Sequence, residues 1–329
     1  MSSKIRMADI AEKLGISIVS VSKALSGKDG VSEETRMRIL STAKQMGYVS
    51  PSDKRKKEKR SGNIGIIVAD RFFSDNAFYS NLFRTMLIKS TAAGYPALLE
   101  IVSSDDERSC NLPRMLLEKK VDGLVFMGEI SRTYYRAATH SGIPAVMLDF
   151  FDDSIGENSV ISDNVSGAYR LTRHLLDTGR RNIGFVGNIC STSSIMDRYL
   201  GYVKALRLAG ITPRDDWQIN DRDLEGRYIP LKLPEEMPEA FVCNCDEVAY
   251  NLVEKLKREG YDVPRRVAVT GYDDYMFSQV CDPPLTTYRV DVESMASSVV
   301  VTLIRKIRGK STLNNNIVIK GCFVRRKST

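Results

Sequence analysis

No run of apolar residues in this 329-residue sequence approaches the ~20 that a membrane-spanning helix needs. The start, Met1 to Asp9, has no apolar stretch behind its charges, so no export signal is expected. A cytoplasmic protein without membrane contact is the expectation. Cysteine is sparse and scattered: Cys110, Cys190, Cys243, Cys245, Cys281 and Cys322 form no repeated C-x-x-C, which excludes a zinc knuckle and a secreted disulfide framework. Reduced, mostly buried thiols are predicted. Histidine is scarcer still. His140 precedes a Ser-Gly-Ile-Pro turn and His174 lies on an amphipathic stretch, so both read as structural or surface residues. No G-x-G-x-x-G, Walker loop or nucleophile elbow opens any segment, and neither catalysis nor a cofactor or metal is expected.

What is present is enough for a sizeable core, with 43% hydrophobic and 27% charged positions. The net charge of +7 is unevenly placed. Residues 1–62 carry 14 Lys/Arg against 7 Asp/Glu, whereas residues 63–329 carry 34 against 34. All the excess positive charge therefore sits in one small segment, which suggests a basic module facing a polyanion, joined to a neutral body with another task.

Met7, Ile10, Ala11 and Leu14 fall at i, i+3, i+4, i+7, the stripe of a short helix that Gly15 terminates. Ser17 offers the next N-cap. Val21, Ala24 and Leu25 form a second stripe, stopped by Gly27; Ser32 opens a third helix whose Ile39, Leu40, Ala43 and Met46 share a face before Gly47. Three helices this short close a core only against one another, as in a helix-turn-helix fold. The second leaves Ile18, Val19, Ser22 and Lys23 outside, suited to thymine methyls, base edges and phosphates in a major groove. Ser17, Ser32 and Thr35 stand where helix N-termini hold phosphate oxygens.

The run "MADIAEKLGISIVSVSKALSG" from Met7, followed by "VSEETRMRILSTAKQMGYV", resembles the DNA-binding head of the LacI/GalR family of bacterial transcription regulators. The resemblance implies base-reading positions at Ile18, Val19, Ser22 and Lys23 and supporting ones at Ser17, Ser26, Ser32 and Thr35. Residues 51–62 form a basic linker, with six basic residues against two acids from Asp53 to Arg60. Family members carry Ala and Leu here on a hinge helix that wedges into the minor groove. This chain has neither between Ser50 and Ile64, so Lys54, Arg55, Lys56, Lys57, Lys59 and Arg60 are expected to attract phosphates or remain a solvated tether.

After Gly62, apolar runs alternate with helix-period stretches: strand Ile64 to Ala69, helix near Leu82 to Ala93, strand Ala97 to Val102, helix Pro113 to Lys119, strand Gly123 to Met127. This pattern predicts parallel sheets covered by helices on both faces. A second round echoes the first. Asn182-Ile183-Gly184 repeats Asn63-Ile64-Gly65 at an offset of 119, Ala209-Gly210 repeats Ala93-Gly94 at 116, Phe241-Val242-Cys243 repeats Leu124-Val125-Phe126 at 117, and Asp262-Val263-Pro264 repeats Gly142-Ile143-Pro144 at 120. Two α/β subdomains with a ligand cleft between them follow.

"SDNVSGAYRLTRHLLDTG", "DRYLGYVKAL", "CDEVA", "VAVTGYDDY" and "PPLTTYRVD" resemble the effector-binding core of the same family, itself akin to periplasmic sugar-binding proteins. The fold class implied is α/β: an N-terminal three-helix helix-turn-helix head plus a two-lobed periplasmic-binding-protein-like core of doubly wound parallel sheets. The domains expected are the head over 1–50, the linker over 51–62 and the core over 63–329. Subdomain 1 takes about 63–162 and 291–319, with a helix Ser294 to Arg308; subdomain 2 takes about 163–290 and 320–329.

A polyol effector needs planar hydrogen-bonding groups for its hydroxyls and an apolar face for its C–H surface. The resemblance assigns Arg198 and Asp273 to the first need. Phe73, Phe78 and Tyr79, with Phe72 nearby, are candidates for stacking or for core packing; Asp149 ends a strand at the cleft rim. Cys245 replaces the Asn that relatives often carry, leaving Asn244 as the candidate amide. Asp163 and Asp274 read as caps, and Trp217 as a stacking residue or a packing anchor. The expected protein is a homodimeric regulator, a repressor, binding double-stranded DNA at a near-palindromic operator under control of a small effector, a sugar or glycoside. A nucleobase or other non-sugar corepressor, and a solute-binding protein without a DNA role, are the alternatives.

Overall fold

The computed structural model describes residues 5–26, 28–46, 48, 60–73, 77–156, 158–223, 225–310 and 316–329. The chain divides into two compact units, Met1–Arg60 and Ser61–Thr329. In the first, α1 (Met7–Leu14), α2 (Ile18–Leu25) and α3 (Glu33–Gln45) enclose a core of Ile10, Ala11, Val21, Ala24, Ile39 and Ala43. Gly15 ends α1 at φ 66, in the left-handed region where a side chain is strained, and its N–H caps α1 carbonyls. Ser17 caps α2 by accepting from the Ser20 amide at 3.1 Å. Leu40, counted in the buried stripe of α3, is 43% exposed. Ile39 and Ala43 fill the core that two partner helices of eight residues each leave open. Gly27, Gly47 and the linker residues from Lys54 to Lys59 lie outside the described residues.

The second unit holds two parallel sheets. The first runs β11-β5-β4-β3-β1-β2, formed by Asn316–Ile319, Ser159–Ser162, Ala145–Leu148, Gly123–Met127, Ile64–Ala69 and Ala97–Val102. On β1, Ile64, Ile66 and Val68 join a core with α4 (Ala77–Ala92) and α12 (Val292–Ile307), while Ile67 joins another with α7 (Arg132–Thr139). Burial on both faces is why β1 is apolar throughout rather than alternating. The second sheet runs β7-β6-β8-β9, from Gln218–Ile219, Ile183–Val186, Ala240–Cys243 and Ala268–Thr270. Its faces are covered by α8 (Asn164–Asp177) with α9 (Ser193–Leu208), and by α10 (Asp246–Arg258).

The sequence echoes have a steric cause. Gly65 on β1 pairs with Leu124 on β3, and a Cβ at Gly65 would lie 2.9 Å from the Leu124 side chain. Gly184 on β6 pairs with Phe241 on β8, where a Cβ would lie 2.7 Å from the ring. Each central strand lacks a side chain where its neighbour needs room. The helix expected over Pro113 to Lys119 is shorter, Arg114–Leu117, because Lys119 turns to φ 54 and the Lys120 amide closes back on the Met115 carbonyl at 2.8 Å.

Three passages link the lobes: Ser162 to α8, the antiparallel strand β10 (Thr287–Arg289) to α12, and β11 to β12 (Cys322–Val324). They are tied together. The Asp163 amide donates to the Ile319 carbonyl at 2.9 Å, and the Gly321 amide to the Tyr288 hydroxyl at 3.1 Å. Behind them α8 and α9 pack closely, and a Cβ at Gly201 would come 2.2 Å from the Val165 carbonyl oxygen. Gly201→Ala is therefore expected to lower stability by at least the ~1–3 kcal/mol of overpacking, read as a fall in the core's melting temperature.

Candidate functional site

On the head, Ile18 and Val19 are 53% and 64% exposed, an unusual position for two neighbouring aliphatic side chains. Ser22 and Lys23 are exposed on the same helix. The Lys23 ammonium lies 2.9 Å from where a Cβ of Gly30 would stand, and Gly30, at φ 100, leaves it that space. The Ser26 hydroxyl donates to the Ser22 carbonyl at 2.7 Å, closing α2. Ser32 and Thr35 share a 2.8 Å hydroxyl contact at the start of α3, and the Thr35 amide donates to Ser32.

In the core, a cavity opens between the lobes at the carboxyl ends of β1, β4, β8 and β9, with empty space of about 610 Å³ including its mouth. Asp149, directly after β4, takes φ 67 and is buried. Its Oδ2 accepts the Tyr79 hydroxyl at 2.8 Å, whereas Oδ1 has no hydrogen-bond partner among the described residues. Arg198, on α9, is buried too. Its Nε donates to Asn164 Oδ1 at 2.9 Å and its Nη1 to the Asn244 carbonyl at 2.5 Å, while the guanidinium lies over the Tyr272 ring at 3.9 Å. Nη2 stands 3.6 Å from Asp273 Oδ1. Asp273 follows β9 at φ 109 and is fixed by main-chain bonds to Tyr288 and Val290.

Burial pushes the Asp273 carboxyl up to about 7; Arg198 pulls it down and Asp149 pushes it up. Desolvation also raises Asp149 against the pull of Arg198 and the Tyr79 hydrogen bond. The Arg198 guanidinium is itself held above its ordinary value, because neighbouring acids outweigh its own desolvation.

Of the residues singled out from sequence, Phe78, Tyr79, Asp149, Arg198, Asn244 and Asp273 come together around this cavity. Phe73 does not line it. It packs on the hydrophobic core in an edge contact with Phe83 at 6.0 Å, and Phe72, one residue earlier, lines the cavity instead. The short 3-10 turn Asp70–Phe72 after β1 sets that phase. The Asn244 amide is engaged within the protein: Nδ2 donates to the Val186 carbonyl and to Asp221, and Oδ1 accepts from Arg222.

Asp163 caps α8, accepting from the Ser166 amide. Asp274 instead accepts from Arg289 at 2.6 Å and Arg326 at 2.5 Å, tying β10 to the last segment of the chain. Trp217 is buried away from the cavity and donates to the Glu236 carbonyl. His174 bonds Thr329 at 2.8 Å, and His140 closes α7.

Sequence reasoning missed Arg222, Asp246, Tyr275 and Phe277, which also line the cavity. Arg222 carries a buried ion pair with Asp221 at 2.7 Å. Asp246 opens α10 and accepts from the Thr287 hydroxyl at 2.6 Å and the Tyr275 amide at 2.8 Å. Gly271 makes room for it, since a Cβ there would lie 2.1 Å from its carboxylate. The adjacent Asp221-Arg222 pair was the one available signal in the sequence; the aromatic positions had none.

Residues 6–51 match the model of bacterial regulatory proteins of the lacI family, and residues 172–329 that of the periplasmic binding protein-like domain. The chain is 29% identical to the HTH-type transcriptional regulator RegA of Clostridium saccharobutylicum, over 98% of both chains. Its fold is similar to that of the transcriptional regulator CelR–cellobiose complex (TM-score 0.70, 20% identity, 99% of this chain and 100% of that one). It is also similar to the Lac repressor dimer bound to operator and the anti-inducer ONPF (TM-score 0.69, 22% identity, 99% of both). Among the described residues no helix is long and apolar enough to cross a membrane.

The raised carboxyl of Asp273 fixes a sign. The native state holds this proton up to about 7, whereas an unfolded Asp releases it near 3.8, so stability falls as pH rises through that window. Thermal unfolding of the ligand-free protein should show this slope between about pH 5 and 7, and Asp273→Asn should reduce it relative to wild type.

Proposed function

This chain belongs to the LacI/GalR family and is a DNA-binding regulator with an effector-binding cleft; from that premise we propose that its effector is a sugar or glycoside and that it represses transcription as a homodimer. The observation that carries the effector reading is the buried Arg198 guanidinium with Asp149 and Asp273 beside aromatic side chains, at the meeting of strand carboxyl ends from both lobes. Planar charged groups read hydroxyls, and rings cover the C–H face of a pyranose. Cellobiose in the similarly folded CelR supports the same choice. A flat nucleobase is the second reading, favoured by the cluster of Phe72, Phe78 and Tyr79, whose ring centroids lie 5.3 and 5.5 Å apart.

A ligand held by Asp149 from one lobe and Arg198 from the other changes the angle between lobes, provided it binds the two states unequally. A second cross-lobe contact lies nearby, where Glu129 after β3 accepts from the Ser193 amide of α9 at 3.0 Å. In the head, Ile18, Val19, Ser22 and Lys23 read base edges, Ser17, Ser32 and Thr35 hold phosphates, and Ser26 has a supporting place at the end of α2. Two heads on a near-palindrome require a symmetric dimer, the assembly in which the similarly folded Lac repressor meets its operator.

A thermal-shift screen of sugars, glycosides and nucleobases tests the effector reading: sugars stabilise the core, and stabilisation by nucleobases alone overturns it. Lys23→Ala should weaken operator binding by about 1–3 kcal/mol, measured by fluorescence anisotropy across a salt series; unchanged affinity throughout removes Lys23 from the interface. Asp273→Asn should lose the effector response and keep operator affinity. Asp273 is a better probe than Arg198, whose removal strands the buried acceptors of Asn164 and Asn244 and costs stability directly.

A further inference from the structure

Resting on the reading of the interlobe cavity as the effector site, we propose that the effector carries a protonated amine among its hydroxyls, an amino sugar rather than a neutral or acidic one, with the ammonium held by Asp149 and Asp273.

The cavity wall carries more carboxyl groups than guanidiniums. Four carboxyl groups, Asp149, Asp246, Glu247 and Asp273, line it against two guanidiniums, Arg198 and Arg222. Arg222 is already matched by Asp221, which receives its Nε at 2.8 Å and its Nη2 at 2.7 Å. Arg198, the other wall cation, has its one ion pair among the described residues with Asp273, which leaves Asp149 with no guanidinium at ion-pair distance. The Nε and Nη1 of Arg198 donate to neutral oxygens, and its Nη2 is 3.6 Å from Asp273, beyond hydrogen-bond length.

Each wall carboxylate then differs in how well it is satisfied. Both oxygens of Asp246 accept from neutral donors. Asp149 is different. It is 6% exposed, only Oδ2 is hydrogen-bonded, and Oδ1 is left without a donor. A buried carboxylate oxygen with no partner is costly, and the group that relieves it most is a cation with N–H donors. Burial raises the carboxyls of Asp149 and Asp273 against the pull of Arg198, and an ammonium beside them would favour their charged forms.

The apolar wall points the same way. Phe72, Phe78 and Tyr79 supply ring faces, whose quadrupole attracts an ammonium as well as the C–H surface of a sugar. A phosphate or uronate brought here would meet the excess of carboxylates. A neutral sugar would give Asp149 a hydroxyl but leave the excess charge in place.

The test is isothermal titration of the full chain with matched pairs: D-glucose and D-glucosamine, D-galactose and D-galactosamine, D-mannose and D-mannosamine. The N-acetyl forms keep the bulk without the charge, and spermidine supplies amines without a ring. In at least one pair the amine should bind about tenfold tighter than both the neutral and the N-acetyl member, the order of one partly buried charge pair. Asp149→Asn should shrink that ratio to about threefold or less, with Asp273→Asn as the second variant if the first fails to fold. Tighter binding of neutral or N-acetyl sugars, or a ratio that survives in the variant that folds, overturns the amine assignment and leaves the sugar reading standing. Binding of spermidine without any amino sugar overturns the sugar reading and keeps the requirement for a cation. No binding by any probe overturns both.

Discussion

The buried guanidinium of Arg198 is the constraint on which the effector core depends. It holds the start of α8 through Asn164, the end of β8 through the Asn244 carbonyl, and the Tyr272 ring after β9. A planar, always charged group makes these contacts in fixed directions, which an ammonium on a flexible stem would not reproduce. Removing water from such a cation is unfavourable, so the surrounding oxygens and the nearby Asp273 must stay in place. The cavity is thus held in shape by the same residue that is best placed to read a ligand.

Strand ends supply the rest of that geometry. Asp149 and Asp273 both take positive φ, where non-glycine residues are strained, Asp149 directly after β4 and Asp273 three residues past β9. The strain is maintained by main-chain bonds: the Asp149 amide to the Val160 carbonyl, and the Asp273 amide to the Tyr288 carbonyl. These are the turns that bring two carboxyl groups to one guanidinium. Parallel sheets place such turns at one edge of each lobe, so two lobes facing across a cleft gather chemistry from distant parts of the chain.

The two units divide the electrostatic labour. Head and linker together, residues 1–62, carry the whole excess of positive charge, and the head exposes two aliphatic residues at the start of α2. The neutral body carries its charges as internal pairs, such as Arg71 with Glu107 and Arg222 with Asp221. Three chain passages between lobes are bonded to one another near Asp163, Tyr288 and Gly321 and form a narrow joint. Coupling of a ligand in the cleft to DNA at the head would need two lobe arrangements that bind the ligand unequally.

Much of this was legible in the sequence because it is local. Apolar spacing and caps located α1 to α3, and apolar runs located β1, β2 and β3 to the residue, since backbone periodicity is written into neighbouring positions. Arg198, Asp149 and Asp273 were also readable, as they end strands or sit in a recognisable motif. The exchange of Phe73 for Phe72 was not, because one residue of helical phase in a three-residue turn decides which ring reaches the cavity. The engagement of Asn244, the carboxylate of Asp246 and the ring of Phe277 were likewise decided only by tertiary structure. They depend on contacts between segments far apart in the chain, and no local pattern encodes which of them meet.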